Sequence, residues 1–162
     1  MWFFMYLCYG LALASFVLLG ATGLSGYFHV PVLHLPHSSF ALLAMIIYLF
    51  TQTLIMFFFV GTGVSVKEYI QEHGKDPAFY RKCVLIKNYL YPPMIWNIIL
   101  MSTVFIIGGG VDTGKIPGWI HGWLFLLSYA QLGWAMLVEH RAFRENTENM
   151  LELFEVSRKI EA

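Results

Sequence analysis

Four of the six histidines, His29, His34, His37 and His121, are the residues whose type and spacing could do chemistry here. His37 stands immediately before a long apolar run, and His121 lies three residues after Gly118 near the start of another, about 5 Å of helical rise inside it. If both runs enter a bilayer from the same side, the two imidazoles face each other near one depth. That is the arrangement needed for two axial ligands on a b-type haem, held between facing helices and tuned by burial. The plainer alternative is that interfacial histidines serve as polar tips, bonded to lipid, water or backbone. A copper or zinc site built from His29, His34, His37 and Asp112 is a further option, since imidazole with a carboxylate suits those metals. Its spacing, HxxxxHxxH with Pro31 and Pro36 between the histidines, matches no established metal signature.

Gln52 and Gln131 sit within apolar runs, where they could hold a quinone carbonyl or bond to each other across two helices. The other polar residues of those runs, among them Thr51, Thr53, Asn97, Ser102, Thr103 and Ser128, carry no charge. Ion-coupled carriers place ionisable groups in their spans, so this interior argues against an active transporter. Glu139-His140-Arg141 reads as a polar cluster at headgroup level. The glycine-rich stretch from Gly108 to Gly118 lacks the GxxxxGK[ST] order and reads as a tight turn, with Asp112 free to orient an outer histidine. No Ser-His-Asp order or HExxH helix supports a hydrolase.

The elements that must position these residues follow from hydropathy. Of 162 residues, 58% are hydrophobic and 12% charged, against about 25% charged in soluble domains. Four apolar segments stand out, at about 2–24, 39–63, 94–110 and 119–138, and all six prolines fall between or at the edges of them. The first segment has no Lys or Arg before it, so it reads as a transmembrane helix rather than a signal peptide. All but one of the Lys and Arg residues lie in the connector 64–91 or the tail 139–162, Lys115 being the exception. The positive-inside rule then places both termini in the cytoplasm and the histidine-bearing loop outside. Zero net charge offers nothing to nucleic acid. Cys8 and Cys83 lie in segments that a membrane separates, which excludes a disulfide or a CxxC site.

Two cytoplasmic pieces have helical patterns. The second span has no breaker before Gly74, and Asp76-Pro77 opens a further helix whose Phe79, Cys83, Ile86 and Leu90 share a face. The third span is expected to begin at Pro92-Pro93. In the tail Met150, Leu151, Phe154 and Ile160 form an apolar stripe that wants a partner surface.

The expected fold is therefore an all-α, single-domain polytopic membrane protein, a bundle of four transmembrane helices with cytoplasmic helical extensions. In helix count and in the pair His37 and His121 it resembles in outline the small four-helix membrane anchors and cytochrome b subunits of respiratory complexes. Two functions compete. One is a non-enzymatic anchor or accessory subunit of a larger inner-membrane complex, touching lipid and other subunits through its tail and helix faces. The other is an electron-transfer protein with one bis-histidine haem near the outer surface, linked to quinol.

Overall fold

A computed structural model describes residues 2–161, with side chains through Glu155. It contains four α-helices: α1 (Trp2–Phe28), α2 (His37–His73), α3 (Ala78–Asp112) and α4 (Gly118–Glu161). α2 begins directly after Pro36, which cannot donate to a preceding turn, and ends where Gly74 takes the left-handed conformation at φ 62° and its N–H caps the Ile70 carbonyl. Asp76 accepts a 2.8 Å hydrogen bond from the Ala78 N–H and so caps the opening turn of α3. Short loops make successive helices antiparallel, and they pack around a ring: α1 on α2, α2 on α3, α3 on α4, and α4 more lightly on α1. α2 and α4 therefore run in the same direction, at opposite corners.

Three helices, α1, α2 and α3, are long and apolar enough to cross a bilayer. The first half of α4 carries His121, Ser128 and Gln131 among its leucines and tryptophans, which lowers its hydropathy, yet it exposes Trp119, Trp123, Leu127, Trp134 and Leu137. With Phe50 and Phe57 on α2 and Trp96 and Ile106 on α3, these give the bundle an apolar exterior suited to lipid. At 37 residues α2 measures about 55 Å, well beyond a hydrocarbon core of about 30 Å. It projects from one side.

The core forms three layers along the axis. Nearest the histidine end, Leu19, Ala44, Met45, Tyr48, Met101 and Leu132 pack together. Next come Met5, Cys8 and Ala12 of α1 with Ile55, Phe58, Phe59, Leu90, Met94 and Phe143. In the third layer, Val66 and Ile70 of α2, Cys83 of α3, and Met150 and Leu153 of α4 close a three-helix extension beyond the reach of α1. The four ion pairs among the described residues, Asp76–Arg81, Lys82–Glu152, Arg141–Glu145 and Arg144–Glu148, all lie at this end. Both cysteines are buried and free.

Two elements depart from expectation. α3 is one helix through Pro92 and Pro93, where a helix start was expected. Proline removes a donor and crowds the preceding turn, but neighbouring helices hold this stretch from outside. The Tyr91 hydroxyl donates to the Met56 carbonyl of α2 at 3.2 Å, Gln131 Nε2 of α4 donates to the Pro93 carbonyl at 3.0 Å, and Leu90 and Met94 are fully buried. The tail stripe is also divided. Met150 and Leu153 are buried, while Leu151 and Phe154 remain about half exposed at 47% and 51%. The inward face follows Glu139, Ala142, Phe143, Asn146, Asn149, Met150 and Leu153, a heptad-like seam that includes polar residues and so escapes a reading by hydropathy alone. Ile160 lies outside the described side chains.

Candidate cofactor site at the histidine end

Pro36 and Pro117 set where two helices can begin, so His37 is the first residue of α2 and His121 falls in the opening turns of α4. Because those helices are parallel across the ring, both side chains arrive at the same end. Their ring centroids are 6.4 Å apart with the planes at 81°. Two imidazoles sharing one metal axially, with metal–nitrogen bonds of about 2.0–2.1 Å and each ring centre about 1.1 Å beyond its nitrogen, have centroids about 6.3 Å apart. The observed spacing equals that sum, and it also lies within the 4.5–7 Å range of an ordinary edge-to-face ring contact.

The protonation of His121 is set by its surroundings. Its Nδ1 lies 3.1 Å from the Val104 carbonyl, an acceptor only, so Nδ1 carries the hydrogen and Nε2 keeps its lone pair. A backbone carbonyl behind the imidazole is the usual support for a metal-bound histidine. Asp112, expected as such a partner, is exposed at the end of α3, and the carbonyl takes that role. Nδ1 of His37 is buried with no hydrogen-bond partner. An orphaned polar atom of this kind calls for a reason, and a ligand is one.

Glycines make room for both rings. A Cβ at Gly26 of α1 would stand 2.9 Å from Cε1 of His37, and one at Gly108 of α3 would stand 3.2 Å from Cε1 of His121. Each imidazole therefore lies over bare backbone of a neighbouring helix, and a side chain there would displace it. Around the pair opens a cavity of about 960 Å³, walled by residues that include Met45, Met101, Phe105, Trp119, Trp123 and Phe125. A large apolar chamber with few convergent polar groups is the usual form of a cofactor site.

The loop from His29 to Pro36 forms part of the wall and is strained. His29, Leu33 and His34 have φ of 54°, 53° and 60°, a region that residues with a Cβ occupy at a cost of about 1–2 kcal/mol each. Leu33 and His34 form a tight turn closed by a 3.0 Å bond from the Leu35 N–H to the Val32 carbonyl, and the Ser25 hydroxyl donates to the Val30 carbonyl at 2.8 Å. His29 lines the cavity; His34 is exposed and does not.

These placements decide among the residues singled out by sequence. His37 and His121 meet. The metal set of His29, His34, His37 and Asp112 does not assemble: among the described residues no three His, Cys, Asp or Glu side chains gather as ion ligands. The turn carries His34 away while His37 points into the bundle toward His121. Gln52 and Gln131 line no part of this cavity and do not bond to each other. Gln131 donates to the Pro93 carbonyl, and Gln52 bonds with Glu139. The glycine-rich stretch is a turn, with the Lys115 and Ile116 N–H groups donating to the Gly110 carbonyl. Sequence reasoning missed Gly26 and Gly108, whose value depends on which ring lies opposite. It also placed Glu139 among the headgroups, whereas that residue is 3% exposed inside the bundle.

No known protein family, curated protein or solved structure matches this chain.

Proposed function

We propose that this protein is a membrane electron carrier holding one b-type haem between His37 and His121. The observation that carries the reading is the imidazole pair itself, with ring centroids 6.4 Å apart beside a large apolar cavity and a glycine against each ring. In this reading α4 supplies the fourth crossing, both chain ends lie in the cytoplasm, and the haem sits near the outer face of a cell's inner (plasma) membrane. The Val104 carbonyl keeps the Nε2 lone pair of His121 available, and most of the cavity wall is apolar. When bound, the haem supplies one-electron chemistry, and burial among apolar side chains sets its potential. Quinol is the electron donor class suited to a site opening at this depth.

The experiment is an absorption spectrum of the purified, haem-supplemented protein. A Soret band lost in both His37→Ala and His121→Ala is expected. A protein that stays colourless under haem supplementation overturns the reading.

A role as an accessory subunit of a larger complex is the second reading, because the bundle covers only Met150 of the tail stripe among the described side chains. Exposed Leu151 and Phe154 are what still speak for it.

A further inference from the structure

Glu139 is an acid inside the bundle. It lies eighteen residues beyond His121, about 27 Å along α4, in the same seam as Leu132, Ala135, Ala142 and Phe143. Ionisable groups in such surroundings are expensive to keep and normally serve transport or relay of charge. None of the ion pairs among the described residues includes it; Arg141, two positions on, is committed to Glu145.

Its hydrogen bonding is incomplete in an informative way. The Gln52 side chain, 2% exposed, bonds with the Glu139 carboxyl, yet Oε1 of Gln52 and Oε1 of Glu139 are both buried without partners. Neither of these buried oxygens accepts a hydrogen bond. A proton on the carboxyl turns Glu139 into a donor, which a carboxylate is not.

A route for that proton is visible at the rim. The Tyr9 hydroxyl lies 3.0 Å from Nδ1 of His140, which is exposed. The titratable groups facing Glu139 are Cys8 and Tyr9 from α1 and Tyr48 from α2, all within reach of its charge. From α3 the neighbours at this level are Leu90 and Met94. Tyr48 continues the polar file inward, donating to Asn97 Oδ1 at 2.6 Å, while Asn97 Nδ2 donates to the Ser128 carbonyl.

We infer that Glu139 is an internal proton-binding site, loaded from the aqueous phase at the basic end of the bundle through His140 and Tyr9. The ligand is a proton. In the loading step a proton from water enters at the hydrogen-bonded His140–Tyr9 pair and reaches the Glu139 carboxylate by relay, each group giving up one proton as it takes one. The inference stands apart from the haem, since it uses neither His37 nor His121.

The test is infrared spectroscopy of the full chain in phosphatidylcholine vesicles. A protonated-carboxyl C=O band is expected that vanishes in Glu139→Gln, moves in Glu139→Asp, and shifts promptly on transfer to D₂O. Tyr9→Phe should leave the band in place but slow its D₂O shift roughly tenfold or more, the scale of a lost proton-transfer group. His140→Ala should slow it likewise, with helicity by circular dichroism unchanged. A band that survives both Glu139 substitutions, or one that resists D₂O for hours in the intact protein, overturns the site. Wild-type exchange rates in both Tyr9→Phe and His140→Ala overturn the route.

Discussion

The two ends of this bundle are built on opposite principles. At the charged end side chains interlock: Val66 and Leu153 are 1% exposed, Asn149 donates to the Phe79 carbonyl and to Cys83 Sγ, and the Lys82–Glu152 ion pair joins α3 to α4 across the surface. At the histidine end the helices leave about 960 Å³ open and three non-glycine residues hold positive φ. Protein interiors are ordinarily close-packed, so a chain that packs tightly at one end has the means to do so at the other. The opening is thus a local property of the histidine end.

The sharpest way to break this contrast is to remove an imidazole. His121→Ala should abolish haem binding while leaving the charged end folded, read by the Soret band against circular dichroism. Next in size is crowding of the rings: Gly26→Val or Gly108→Val should reduce haem occupancy roughly 10- to 100-fold, as displacement of a ligand's support does, measured by haem titration. The converse change is Leu153→Ala, which should destabilise the three-helix extension by about 2–5 kcal/mol with the Soret band unmoved, read by limited proteolysis of the tail.

Smaller effects sharpen the comparison. Leu33→Gly should stabilise the fold by at most about 1 kcal/mol in thermal unfolding, relief of a left-handed residue being partly offset by the entropy glycine adds to the unfolded chain. Smallest is Glu145→Gln. Burial pushes the Glu145 carboxyl upward, but the Arg141 guanidinium at 2.6 Å and the Tyr89 hydroxyl at 2.9 Å outweigh it and hold it below its ordinary value. A carboxylate depressed in this way contributes stability above its unfolded pKa and loses it as pH falls through the lower, folded one. The substitution should cost a few tenths of a kcal/mol near neutral pH and nothing in acid, measured as unfolding midpoint against pH.

Much of this was legible beforehand, for reasons that particular residues show. His37 and His121 could be paired because the apolar runs, with Pro36 and Pro117 before two of them, set an even number of loops between the helices that carry these residues, and this fixes which ends coincide. The same logic failed at Pro92-Pro93, where a local rule of helix interruption yielded to support from Met56 and Gln131 on other helices. It failed also for Glu139, whose charge suggested a headgroup position although its place in the seam with Ala142 and Phe143 pointed inward.

Hydropathy, prolines and the grouping of basic residues determined by themselves that this chain makes apolar helices, where most of them begin and end, and which histidines share a depth. These are properties of one segment at a time, and one segment suffices to read them. That Gly26 and Gly108 lie behind the imidazoles, that Val104 orients His121, and that Glu139 faces Gln52 was decided only by the tertiary structure. Each depends on how one helix is rotated against another, and that rotation is set by the packing of all four together.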